Sequence, residues 1–189
     1  MKKTILERYA VTEDNQIVVD VSIRSVELLY HDFDRTSPYH KKELEQEFAD
    51  YLIDCVREIR KADFVIQISL ERQPDEAIKE RVNKSIDNYY LYLKELELRA
   101  LQTMFKRFLV LLGVGVVLLI LAILTARRFA GSEDVVTEVF AGGLTIAAWV
   151  SLWEAIALLF LEWQPHRQNI RLFNRIVDAP IWFRNIGVD

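Results

Sequence analysis

Glu154 is the residue whose position most constrains what this chain can do. It interrupts an otherwise uncharged apolar stretch, Val139 to Leu161, and lies eight positions before Glu162. At helical rise that places it roughly 12 Å inside the charged end of the stretch. A carboxylate at such depth in a bilayer is costly, and it faces protein or a water-filled cavity. Gly143, Ala147 and Ser151 step by four along the same stretch, and the next step reaches Glu154 or Ala155. Such a small-residue stripe lets another helix approach closely, and Gly113 and Gly115 in the preceding apolar stretch offer an opposing surface. Three readings stand. Glu154, with Ser151 one turn away, lines an ion or proton path in an assembly of several copies. Alternatively, Glu154 is protonated or hydrogen-bonded to a neighbouring helix and holds the helices together. In the third reading it reaches toward the interface marked by Glu162.

Other reactive residue types form no comparable constellation. His31-Asp32-Phe33-Asp34, with His40 nearby, has ligand-type side chains, but no second pair at metal-site spacing follows. It reads as a polar turn, and no metal or cofactor is expected. Cys55 is the only cysteine; its setting in an amphipathic run suggests a small buried hydrophobe. The chain has no Gly-rich phosphate loop, no Gly-x-Ser-x-Gly elbow and no His-Glu-x-x-His, so no enzymatic activity is expected. Through Arg99 there are 16 basic against 21 acidic residues, without a basic stripe, which argues against a nucleic-acid surface.

The elements that must position Glu154 are two apolar spans. Phe108 to Ala126 gives nineteen uncharged residues between Arg107 and Arg127, close to the ~30 Å of a hydrocarbon core. The second span is Val139–Leu161, with Trp149, Trp153 and Trp163 toward its far half. A connector over 127–138 makes the pair an antiparallel hairpin. Lys94, Arg99, Lys106 and Arg107 precede it, and Arg167, Arg171, Arg175 and Arg184 follow it. This bias predicts a multi-pass protein of the cell membrane with both termini cytoplasmic. The N-terminal ten residues lack a signal-peptide core, so the front half is expected to stay cytosolic.

The predicted organisation is an α+β cytosolic domain over 1–73 and a stalk helix over 74–105. The spans follow as 106–126 and 139–162, and 163–189 holds an amphipathic helix and a C-terminal strand. In the domain, Ile17–Tyr30 reads as β-structure with a bulge or turn near Ser25, and Ile5–Val11 as a further strand. Ser37-Pro38 opens a helix whose apolar face runs from Leu44 through Phe48, Leu52 and Val56 to Ile59. Phe64–Leu70 reads as a strand with one buried face. Along the stalk, Val82, Ile86, Tyr89, Leu93, Leu96 and Ala100 alternate steps of four and three, a heptad seam that fits either the protein's own sheet or a partner helix. After Pro165, Arg167, Arg171 and Arg175 share one helical face suited to anionic lipid headgroups. Ile181-Trp182-Phe183 then forms a strand that returns to the sheet.

Two segments carry a resemblance: Phe33-Asp34-Arg35-Thr36-Ser37-Pro38, and Trp149 through Trp153-Glu154 to Trp163-Gln164-Pro165-His166-Arg167. Together they resemble an uncharacterised prokaryotic family of small two-span membrane proteins with an N-terminal α/β domain. The resemblance implies the architecture and no activity. The expected function is a homo-oligomeric effector in which a cytosolic sensor or binding domain is coupled to the hairpin, with ion conduction as its sharpest form. The alternative is a non-conducting anchor or scaffold for a protein partner. The lipid bilayer is a partner in both.

Overall fold

The computed structural model describes residues 5–30, 44–128 and 135–186. The chain divides into two compact units, Met1–Glu95 with Asn169–Asp189, and Leu96–Gln168.

The first unit is an α+β domain around a four-stranded mixed sheet in the order β1-β2-β3-β4. β1 (Ala10–Val11) is antiparallel to β2 (Ile17–Ile23); β2 is parallel to β3 (Phe64–Leu70), and β3 is parallel to β4 (Ile181–Asn185). The alternation of β2 and β3 turns Ile17, Val19, Val21, Phe64, Ile66, Ile68 and Leu70 to one face. There they join one cluster with α1 (Gln46–Ile59) and with Val82, Ile86, Tyr90, Leu172, Phe173 and Ile176. Val65 and Ser69 are also buried, so β3 is covered on both faces, as suits a central parallel strand, and not on the one face expected. On that second face the Asp20 carboxylate accepts hydrogen bonds from Gln67 Nε2 (3.1 Å) and Ser69 Oγ (3.0 Å).

Several local expectations are revised. Beyond Ser25 the chain leaves the sheet as a 3-10 turn, Val26–Leu29, which buries Val26 and Leu29 without strand pairing. Ile5–Arg8 is likewise a 3-10 turn, and only Ala10–Val11 pairs. Leu44 precedes α1 as a bridge to Tyr30, and the helix begins at Gln46 after Glu45, whose N–H bonds the Leu29 carbonyl at 2.8 Å. The Ser37 cap, the His31–Asp34 run, His40 and the first segment of the resemblance lie outside the described residues.

α2 runs as one helix from Glu76 to Arg128, and a second helical run extends from Val135 to Val177. The latter comprises α3 (Val135–Ala157), a π-turn (Leu158–Glu162) and α4 (Trp163–Val177). Pro165 therefore starts no new helix. Proline has no N–H to give the Leu161 carbonyl four residues back, and the wider π-turn sits immediately upstream. The apolar face of α4 does not lie along a membrane surface: Leu172, Phe173 and Ile176 enter the domain core. The helix stops before Ala179-Pro180, and β4 pairs beside β3. The whole two-helix hairpin is thus the crossover between two adjacent parallel strands.

The position of Asp87 on α2 gives the domain a pH dependence. Burial raises its carboxyl above the ordinary range, and the Asp178 carboxylate adds to this. The folded state therefore favours the protonated form, and stability falls as pH rises through the carboxylate range. Asp87→Asn is expected to raise the melting temperature of the solubilised chain by a few degrees at pH 7.5. The gain should vanish near pH 4, as thermal unfolding at the two pH values will show.

Candidate functional site

In the second unit, α2 and α3 meet through small residues. On α2 the covered positions are Met104, Gly115 and Ala122, with Phe108, Leu111 and Leu118 half-buried between them; on α3 they are Ala148 and Ala155, with Leu152 between. A Cβ built on Gly115 would stand 2.8 Å from the Leu152 side chain and 3.3 Å from its backbone nitrogen, so this glycine lets the helices touch. Gly113 and Gly143 have nothing within 4 Å of their Cβ positions, and Ala147 is exposed. Of the four predicted packing residues, only Gly115 serves the hairpin. The reason is phase: Ala148 and Ala155 occupy the inward side of α3, and Gly143 and Ala147 fall on a neighbouring side.

That neighbouring side carries Glu154. At 100° per residue Gly143, Ala147, Ser151 and Glu154 share one stripe of α3. Gly143, Ala147 and Glu154 are exposed, and Ser151 is half-buried with its hydroxyl donating to the Ala147 carbonyl at 3.0 Å. Among the described residues no hydrogen bond or ion pair reaches Glu154. It does not bond to α2, which removes the hairpin-internal version of the holding role. Glu162, at the end of the π-turn, is exposed too. The stripe is therefore a surface of small residues, one hydroxyl and one unpartnered carboxylate, bordered on one side by exposed Ile146 and Val150.

The predicted stalk seam is followed in part. Val82 and Ile86 are fully buried, and Tyr89 and Leu93 pack partly against the core, but Leu96 is 42 % exposed. The covered line runs Val82, Ile86, Tyr90, Leu93, Glu97, Leu101, Met104 and onward. Its steps average about 3.6 residues, the period of a straight helix, whereas the heptad drifts away from it. Tyr90 replaces Tyr89 in the deepest position, and its hydroxyl donates to the Ala49 carbonyl at 3.1 Å. Glu97 replaces Leu96 and bonds His166 Nδ1, tying α2 to α4 through a half-buried pair. Counting apolar residues alone passes over Glu97; continuing the 3.6 period past Leu93 finds it.

Arg175 is not available to a lipid headgroup. It donates to the carbonyls of Arg60 and, at 2.6 Å, Ala62, closing the end of α1, and it stacks 5.0 Å from the Phe64 ring centroid. Arg167 and Arg171 remain exposed. The domain also holds a hollow of about 510 Å³ that sequence patterns did not reveal, bordered by Arg8, Tyr9, Asp20, Tyr51, Asp54 and Glu58, with Cys55 against it. Tyr9 donates to Glu58 at 2.8 Å and Tyr51 to the Asp20 carbonyl at 3.1 Å. Burial raises both phenols, Tyr51 to about 12, so both stay protonated donors near neutral pH. No group of three His, Cys, Asp or Glu among the described residues is placed to hold a metal ion.

The two glycines of α2 make opposite predictions. Gly115→Leu is expected to splay the hairpin and abolish disulfide crosslinking between cysteines placed on facing α2 and α3 positions. Gly113→Leu should leave the crosslink intact. Comparison with protein families, characterised proteins and solved structures finds no match to this chain.

Proposed function

We propose that this chain is an integral membrane protein that self-assembles through the Gly143–Ala147–Ser151–Glu154 face of α3. Its α+β domain acts on the cytosolic side as a binding module coupled to the hairpin. The observation that carries the reading is Glu154, exposed and unpartnered in an apolar span. Two helices are long and apolar enough to cross a membrane, and only 11 % of the most apolar window of each is buried. A soluble core helix would be mostly covered; these surfaces need hydrocarbon as solvent. In hydrocarbon an exposed carboxylate is costly, and a polar neighbour from another chain relieves that cost. The pairing of β4 with β3 fits a chain that returns to the side it left, and the basic flanks fit a cytosolic side.

Coupling rests on two helical runs, α2 and α3–α4, each of which contributes residues both to the apolar hairpin and to the domain core. The polar hollow beside α1 gives the domain a place for a small ligand. In the sharpest form of the reading, Glu154 carboxylates from several copies form a ring that selects cations, and Ser151 lies one turn away. The alternative is an anchor in which a different membrane protein covers Glu154 with a basic or hydrogen-bonding residue.

The mass of the nanodisc-embedded particle separates these. Self-assembly predicts a discrete multiple of the 22.1 kDa chain, reduced to the monomer by Ala147→Leu. Conduction predicts cation flux in liposomes that falls at least tenfold in Glu154→Gln while the particle mass is unchanged. A monomer that co-purifies with a stoichiometric second protein would replace this reading with the anchor, and flux indifferent to Glu154 would remove its conducting form.

A further inference from the structure

Where the second unit's helices pass the π-turn they leave a half-open groove of about 620 Å³. It is lined by Leu101, Met104, Phe105, Leu159 and Trp163, with Gln102 and Lys106 at its border. The volume lies within the roughly 300–1,000 Å³ of small-molecule sites. We propose that this groove binds one anionic glycerophospholipid, with an acyl chain against the apolar wall and the phosphate on Lys106. The inference rests on the membrane reading above and extends it to one lipid class.

The chemistry of the lining selects this occupant. Gln102 and Lys106 are four residues apart, so they share one face of α2 and present an amide and an ammonium one turn from each other. The ammonium pairs with a phosphate, and the amide serves a glycerol ester. Trp163 forms part of the opposite wall, and the Arg167 guanidinium stands 5.1 Å from its ring centroid. No carboxylate lines the groove.

The groove's place in the chain agrees. Lys106 and Arg107 end the uncharged run of the first span, so the groove lies at the level where headgroups meet acyl chains. An apolar helix from a second copy would cover Lys106 without supplying a counter-charge, whereas an anionic lipid neutralises it. One cation close to an anionic headgroup is worth about a fivefold preference.

The test uses the full chain in nanodiscs of equimolar phosphatidylcholine and phosphatidylglycerol, with retained lipids counted by native mass spectrometry after release. The expected result is one phosphatidylglycerol per chain, held about fivefold over phosphatidylcholine. Lys106→Gln should remove the preference and keep retention, and Leu159→Trp should reduce retention of both lipids. Equal retention of the two lipids by the unaltered chain, or a preference that survives Lys106→Gln, overturns the site. Dimers that carry no lipid and crosslink through Phe105→Cys would assign the groove to a second copy and overturn it as well. Alkaline carbonate extraction of the membranes separates this failure from the other. A chain that stays in the pellet but shows no preference loses only the lipid site; a chain that is extracted loses the membrane reading too.

Discussion

The constraint on which the rest of this structure depends is solvation. The two long helices turn Leu, Val, Ile and Trp outward over most of their apolar length, and those side chains are stable only where the surroundings are apolar as well. On the membrane reading proposed above, hydrocarbon is the solvent and the usual ranking of groups inverts. Apolar contact between helices contributes little, because lipid offers the same contact, and small residues that allow close approach decide the pairing. Gly115 against Leu152 is that pairing inside the hairpin. On that reading Glu154 is the costliest exposed group of the span, and covering it favours assembly.

A second constraint is the continuity of α2. Its covered face keeps a period of about 3.6 residues from Val82 to Ala122, so one unbroken helix serves the domain core with Ile86 and Tyr90 and the hairpin with Gly115 and Ala122. The returning run is less regular. A π-turn at Leu158–Glu162 precedes Pro165, and the helix then continues as α4 to bury Phe173 and Ile176 in the domain. Between these, the Glu97–His166 pair joins the two runs with polar groups where apolar packing gives way. Inserting a hairpin between β3 and β4 makes the sheet depend on the hairpin's return, since β4 has no other route to its place.

Much of this was legible in the sequence wherever one residue type repeats at one period. The uncharged runs revealed both apolar helices, and the alternation of Phe64–Leu70 revealed β3. Pro180 followed by Ile181-Trp182-Phe183 revealed the last strand. What escaped reading depended on tertiary context. Ile17–Tyr30 reads as β-structure with a bulge or turn near Ser25 because Val26 and Leu28 resume an alternation in the opposite phase, but a 3-10 turn buries Val26 and Leu29 instead. Arg175 looked like a member of a lipid-facing row because its partners, the carbonyls of Arg60 and Ala62, are over a hundred residues away. The outward stripe on α3 was legible as a set of residues, but which helix it faces is decided by the phase of Ala148 and Ala155. The Lys106 groove was invisible, since it needs the π-turn to bring Leu159 and Trp163 beside Leu101.

The central claim is that the Glu154 face of α3 meets a second copy of this chain. The most direct measurement is disulfide crosslinking in native membranes of Ala147→Cys in a Cys55→Ala background, beside Trp149→Cys on the opposite exposed side of α3. The account predicts efficient homodimer formation at position 147 and little at position 149. Equal crosslinking at both positions, or none at 147, would contradict it.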